Sequence, residues 1–67
     1  MSRPDFVVRN VRRIHNLRKN RGMKLKDLAK RVGLNHRLLW KYEHALVLPC
    51  QENYNRLAVY FTWDVWR

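Results

Sequence analysis

The sequence is poor in the residues that stabilise small proteins through covalent bonds or metals. Cys50 is the single cysteine among 67 residues, which excludes an internal disulfide. The three histidines, His15, His36 and His44, lack the spacing of a zinc site, so we expect no metal and no other cofactor. We expect Cys50 to be a small, partly buried thiol in a reducing compartment. Because a chain this short buries only about 60% of its surface, self-association is the remaining route to extra stability.

Acidic residues are also scarce, with 5 against 15 basic residues and a formal net charge of +10. The carboxylates form no spaced pair of the kind that acid–base catalysis needs. The sequence also contains no nucleophile–base constellation and no glycine-rich phosphate loop. We therefore expect that the protein is not an enzyme and has no catalytic residues.

Long apolar runs are absent. No stretch approaches the ~18 apolar residues of a membrane span. The first residues are basic, but the apolar run that follows them is too short for a signal peptide. These features predict a cytoplasmic protein without a membrane partner.

The basic residues are concentrated in the first two-thirds of the chain. Residues 1–21 carry a net charge of +6 and residues 22–44 carry +4, whereas residues 45–67 are neutral and rich in aromatic residues. This asymmetry predicts that one part of the molecule contacts a polyanion and that the neutral part does not.

Glycine and proline number only two each, which leaves no flexible linker and no β-hairpin turn, and the apolar spacing is helical throughout. We therefore expect one all-α domain over residues 1–67. The predicted helices span 2–22, 24–32, 36–44 and 51–61. Ser2 and Asp5 form a capping-box pattern before the first of them. Residues 62–67 form at most one ragged turn, a short tail or an association segment.

Residues 24–44 have the pattern of a helix-turn-helix, because Gly33 separates two short helices and Asn35 is a good N-cap for the second. The wider chain from Arg18 to Phe61, about two-thirds of the sequence, resembles the lambda-repressor/Cro-like (Xre-like) helix-turn-helix family. The residues that carry the resemblance are Arg18, Gly22-Met23, Leu28-Ala29, Gly33, Asn35, Leu39, Tyr42-Glu43, Pro49 and Leu57-Ala58.

The resemblance implies a compact bundle of four to five helices in which helix 36–44 enters the DNA major groove. It also implies an ion pair between Arg18 and Glu43. The alternative for Arg18 is a solvated charge. By the same resemblance, the base-reading residues are His36, Arg37 and Lys41.

The other expected contacts follow from the faces of the predicted helices. Trp40 shares the face of the base-reading residues, where it either packs on a thymine methyl or sugar or covers the corner between helices 24–32 and 36–44. Arginine and lysine on this face either read bases or contact phosphates only. We expect backbone contacts from Lys24, Lys26, Asn35, His44, Arg12 and Arg13.

The chain departs from the family at several positions. Leu25 replaces a glutamine that often contacts phosphate, and Leu38 replaces a small polar residue. Ala45 stands where glycine commonly ends the recognition helix, so we expect that helix to extend by a turn. The following loop is commonly polar or basic in the family, but here it is apolar. We expect one or two of its residues to fill the core and the rest to form an exposed association surface. The residues assigned to this surface are Leu46, Val47, Leu48, Trp63 and Trp66.

Three functions remain open. The first is a sequence-specific transcriptional regulator or repressor, acting as a homodimer on double-stranded DNA. By analogy with the family, it would belong to a phage, plasmid, mobile element or restriction–modification system and act at the bacterial nucleoid or in a phage-infected cell. The second is a small architectural or recombination cofactor that binds DNA. The third is a module that binds a partner protein through its apolar end.

Overall fold

The computed structural model describes residues 4–66, which form five helices. They are α1 (Asp5–Arg12), α2 (Ile14–Asn20), α3 (Leu25–Val32), α4 (His36–Glu43) and α5 (Gln51–Phe61). Residues 4–66 contain no strand, which confirms the all-α prediction. The radius of gyration, 10.8 Å, is close to the value of about 11 Å expected for a compact chain of this length.

All five helices contribute buried side chains to one hydrophobic core. Each helix supplies residues at helical spacing, so a single apolar stripe per helix suffices. The fully or nearly fully buried side chains are Val7, Val11, Ile14, Leu28, Ala29, Val32, Leu39, Tyr42, Tyr54, Leu57, Ala58 and Phe61.

The buried tyrosines satisfy their hydroxyl groups within the fold. Asn10 Nδ2 donates to the Tyr54 hydroxyl at 2.9 Å, and Asn53 Nδ2 donates to the Tyr42 hydroxyl at 3.0 Å. A buried hydroxyl without a partner is costly, so both bonds stabilise the fold. The first connects α1 with α5, and the second connects α4 with α5.

The prediction of one continuous first helix is wrong, because the chain turns at Arg13. There the backbone N–H donates to the Asn10 carbonyl, three residues back, and the next helix begins at Ile14. No glycine or proline lies at this point, so the local sequence does not mark the break. The five helices thus result from this division and not from a helix after Phe61. Ser2, one half of the expected capping box, lies outside the described residues.

Helices α2 to α5 share one way of ending. A residue with positive φ follows each helix, and the N–H of the next residue donates to a carbonyl five positions back. Gly22 and Gly33 fill this position after α2 and α3, where glycine carries no steric penalty. Ala45 (φ 56°) and Thr62 (φ 60°) fill it after α4 and α5.

The expected extension of the helix through Ala45 is therefore wrong: α4 ends at Glu43. The hydrogen bond of 2.9 Å from the Leu46 N–H to the Lys41 carbonyl closes the motif and holds alanine in the left-handed conformation. The loop that follows leads to the buried Pro49 and to α5. The cysteine before α5, Cys50, is exposed rather than partly buried, because it precedes the first helical turn and faces away from the core.

Residues 62–66 are not helical and fold back along α5. Trp63 stacks on Phe61 and on Tyr54, with ring centroids 4.9 and 6.0 Å apart. At the other end of α5, Gln51 Nε2 donates to the Trp66 carbonyl at 3.1 Å. The segment is therefore packed on the bundle and is not a ragged helical turn.

Candidate nucleic-acid interface

The elements that carry the predicted DNA contacts, α3 and α4, are joined by a turn of three residues. Gly33 ends α3 with φ 71°, and the Leu34 N–H donates to the Ala29 carbonyl at 2.9 Å. Asn35 then begins α4, and its side chain accepts a hydrogen bond of 2.8 Å from the Arg37 N–H. The asparagine thus satisfies one of the N–H groups that a helix start leaves free, as expected from the sequence.

The predicted base-reading residues lie on one face of α4. Leu39 and Tyr42 are buried on the opposite side, which fixes the rotation of the helix about its axis. Arg37 and Lys41, four residues apart, are exposed on the outer face, whereas His36 is half-buried. Within residues 4–66 no carboxylate forms a salt bridge with these two cations, so their charges are not compensated.

Trp40 shares this face and is 46% exposed. Its ring lies 4.1 Å from that of His44, one turn further along α4. The fold covers the remainder of its surface, in part through the ring of His44. The exposed part of the indole is accessible to a ligand on the face that carries Arg37 and Lys41.

Asn35 and His44, two of the residues expected to contact the DNA backbone, lie at the two ends of α4, and the other four lie at two further places. Lys24 is the N-cap residue of α3, and Lys26 follows in its first turn; both are exposed. Arg12 and Arg13 are exposed near the end of α1, where they line a shallow depression together with Arg9. They lie on the side of α1 opposite its buried valines. Because three arginines lie on this side, the surface is basic.

The ion pair between Arg18 and Glu43 is present and nearly buried. The Arg18 Nε and Nη2 atoms donate to the two oxygens of Glu43 at 3.0 and 3.1 Å, and Nη1 donates to the Met23 carbonyl at 2.9 Å. The side chain of Glu43 is only 4% exposed and that of Arg18 13%. A carboxylate at the C-terminal end of a helix is unfavourable on its own, and this guanidinium compensates its charge. The pair thereby fixes the end of α4 against α2.

The sequence reasoning missed a third member of this cluster, His15. Its Nδ1 lies 2.9 Å from Oε1 of Glu43, and its side chain is 46% exposed. Arg18 Nη2 lies 3.3 Å from the same nitrogen, so the tautomer of His15 decides whether Nδ1 donates to Glu43 or accepts from Arg18. The signal was available in the sequence, because His15 precedes Arg18 by three residues and so shares its face of α2.

The predicted association surface is only partly exposed. Leu46 and Val47 are 61% and 40% exposed in the loop after α4, whereas Leu48 packs against the core. Trp63 and Trp66 are half-buried and also pack against the core, which corrects the expectation that they belong to an exposed patch. The exposed apolar surface of this loop is therefore the pair Leu46 and Val47.

Other kinds of site find little support in the described chain. Within residues 4–66, no three histidine, cysteine or acidic side chains come together as a metal site requires. Glu52 is paired with Arg56 at 3.4 Å on the surface of α5. In the same part of the chain, every helix is too short or too polar to cross a bilayer.

No protein-family model matches this chain, and no curated protein or solved structure resembles it significantly. The features of the chain that bear on its function are the uncompensated cations and the indole on the outer face of α4, the lysines at the start of α3, and the ion pair that fixes α4 in place.

Proposed function

We propose that the protein is a sequence-specific regulator that binds double-stranded DNA, with α3 and α4 as a helix-turn-helix of the lambda-repressor/Cro-like type. In this proposal α4 enters the major groove and α3 lies across the DNA backbone. The observation that carries it is the outer face of α4, where Arg37 and Lys41 project without a carboxylate partner on either side of an exposed Trp40.

The chemistry of the two cations supports base contacts. The guanidinium of Arg37 matches the O6 and N7 acceptors of guanine with two hydrogen bonds, and Lys41 can donate to the same edge of a neighbouring base pair. Arg37 lies in the first turn of α4, and in helices of this type the N-terminal residues contact base edges; Lys41 lies one turn further along the helix. Burial of Leu39 and Tyr42 keeps this face turned outward.

Phosphate contacts would hold the helix in register. Lys24 lies at the N-terminus of α3 and Asn35 at that of α4. Helix N-termini favour anions, because their N–H groups are unpaired and the helix dipole is positive there. Since Leu25 offers no hydrogen bond to phosphate, the anchoring of α3 depends on Lys24 and Lys26. The arginines of α1 add sequence-independent attraction.

We further propose that two copies associate through Leu46 and Val47. Like charges repel, so two chains of net charge +10 approach most easily through surface that carries no charge. The loop from 45 to 50 contains no charged residue, and it lies just after α4 in the sequence. A two-fold dimer through this loop would hold two copies of α4 about one DNA turn, ~34 Å, apart. Such a dimer acts in the bacterial or phage-infected cytoplasm, where the DNA is.

Selection of bound sites from random duplex DNA tests the proposal, read together with the mass of the complex. We expect a two-fold or directly repeated motif bound by two chains. Tight binding without a motif would instead support an architectural cofactor, for which the basic surface of α1 suffices. Absence of DNA binding at about 0.1 M salt would leave a protein-interaction module.

A further inference from the structure

We propose that Trp40 is a specificity-determining residue that reads the 5-methyl group of a pyrimidine next to the guanine read by Arg37. The pyrimidine is thymine or 5-methylcytosine, which present the same methyl group to the major groove. This inference rests on the proposed function and adds to it the identity of one base pair.

A large part of Trp40 remains in contact with solvent in the fold. Trp40 is 46% exposed, and its ring contact is with His44, the residue that follows α4. An exposed tryptophan leaves a large apolar area in water, and covering that area on binding is favourable. His44 supports one part of the ring and leaves the rest free for a ligand.

The position on α4 places Trp40 one base-pair step from Arg37. The two residues are three apart on a helix, so their Cβ atoms are about 5–6 Å apart on one face. Neighbouring base pairs are separated by about 3.4 Å along the duplex. When Arg37 contacts a guanine, the larger indole therefore lies over the adjacent pair.

The chemistry of the major groove selects the methyl group. Donors and acceptors line its floor, and the 5-methyl group of thymine is the apolar group that a base pair presents there. An indole offers one donor, Nε1–H, and a wide apolar surface. A methyl group is therefore the feature of a base pair that complements most of its area.

Duplex DNA is favoured over a single strand as the ligand. Proteins that bind single strands stack successive bases on several exposed aromatic rings along a groove. Among residues 4–66, Trp40 is the one large aromatic side chain that is strongly exposed. Its neighbours Arg37 and Lys41 lie with it on the convex surface of a helix, which fits a groove of DNA rather than a path for a strand.

The test uses the preferred duplex from the selection experiment and changes one methyl group at a time. Replacing thymine by uracil removes only the methyl group and keeps the base pair. At one thymine per half-site, next to guanine, we expect the affinity of the wild type to fall about four-fold per methyl, because a buried methyl contributes about 0.8 kcal/mol. A second pair of duplexes carries either cytosine or 5-methylcytosine at that position. The affinities for these two duplexes should show the same difference, and comparison with the thymine duplex reveals which pyrimidine is preferred.

Three variants separate the methyl contact from other roles of the indole. Trp40→Ala should bind thymine and uracil sites equally, and Trp40→Phe, which lacks the N–H but keeps an apolar ring, should still distinguish them. Val59→Ala is the matched control, because Val59 is an exposed apolar residue on α5, and it should behave as the wild type. Circular dichroism checks that each variant is folded.

The other outcomes are distinguishable. A clear motif whose affinity does not respond to uracil at any thymine overturns the role of Trp40 and leaves the proposed function intact. Equal loss in Trp40→Phe and Trp40→Ala shows a hydrogen bond from Nε1 instead of a methyl contact and also overturns it. No motif at all, or tighter binding of single strands than of duplexes, overturns both the inference and the proposed function.

Discussion

Arg18 and Glu43, which are 25 residues apart in sequence, are joined by two hydrogen bonds of 3.0 and 3.1 Å between the guanidinium and the carboxylate. The same guanidinium donates to the Met23 carbonyl. One side chain of α2 thereby holds both the end of α4 and the loop before α3. The contact fixes the position of the C-terminal end of α4 against α2, and the proposed recognition helix depends on it.

Removing one member of this pair should destabilise the fold strongly. Arg18→Ala leaves a carboxylate that is 4% exposed without its main partner, and the expected cost is about 3–5 kcal/mol of unfolding free energy. Glu43→Ala should cost a similar amount. The double variant should lose less than the sum, because the second substitution removes a charge that is already unpaired. Urea unfolding of the four proteins measures the coupling.

His15→Ala provides the control for this cycle. The histidine also contacts Glu43, but its side chain is 46% exposed, so its loss should cost less than about 1 kcal/mol. Strict additivity of Arg18→Ala and Glu43→Ala, with losses no larger than that of His15→Ala, would contradict the structural role of the pair.

Replacing Ala45 by glycine should stabilise the protein. Ala45 has φ 56°, a conformation that costs an alanine about 1 kcal/mol and a glycine almost nothing. We expect a gain of about 1 kcal/mol, reduced by the greater entropy of glycine in the unfolded chain. Thermal or urea unfolding measures it.

Ala58→Gly is the matched substitution within a regular helix, and it should destabilise, because Ala58 is buried in α5. If Ala45→Gly destabilised the protein to the same extent, that result would contradict the left-handed conformation of residue 45.

Substitution of Arg37 should change specificity, whereas substitution of Arg12 should not. Arg37→Ala should cost about 1–3 kcal/mol on the preferred site and relax the preference at one base pair. Arg12→Ala should weaken binding to all sequences alike, since we propose that Arg12 contacts phosphate and not bases. Fluorescence anisotropy on preferred and random duplexes measures both. Equal losses from the two variants on both kinds of DNA would refute the assignment of Arg37 to base reading.

Introducing a charge at Leu46 should prevent self-association. Leu46→Lys places an ammonium group at a surface that we expect to be buried between two chains, and it should give a folded monomer with much weaker binding to the preferred site. Because the phosphate contacts of each chain remain, the salt dependence of nonspecific binding should stay unchanged. Sedimentation measures the mass.

Val59→Lys is the control, because Val59 is 76% exposed on α5, away from the loop after α4. If both variants keep the mass and affinity of the wild type, the apolar loop is not the contact between chains. The half-buried Trp66 is less suited to this test, since its substitution would also disturb packing.

Much of the fold could be predicted from apolar spacing, because each helix contributes one stripe to a single core. Leu28, Leu39 and Leu57 are buried as their positions require. The division at Arg13 could not be predicted, since neither glycine nor proline marks it and the buried valines and Ile14 keep helical spacing across it. The end of α4 at Ala45 could not be predicted for a different reason. The local preference of alanine opposes the left-handed conformation, but the hydrogen bonds at the end of the helix overcome that preference.

The surface was less predictable than the core. Spacing places Arg37 and Lys41 on the outer face of α4, and the structure agrees. The same reasoning could not show that Trp63 packs on Phe61, because that contact depends on the chain folding back along α5. The prediction assigned Trp63 and Trp66 to the exposed apolar surface because they follow the apolar loop in sequence, and it therefore overestimated the extent of that surface.

The ratio of affinities for the selected duplex and for a scrambled duplex of equal composition tests the central claim most directly. Both are measured at about 0.15 M salt, where nonspecific attraction is partly screened. If α4 reads bases in the major groove, we expect the selected duplex to bind at least about 10³-fold more tightly. A ratio near one, whether binding is tight or weak, would contradict a sequence-specific regulator.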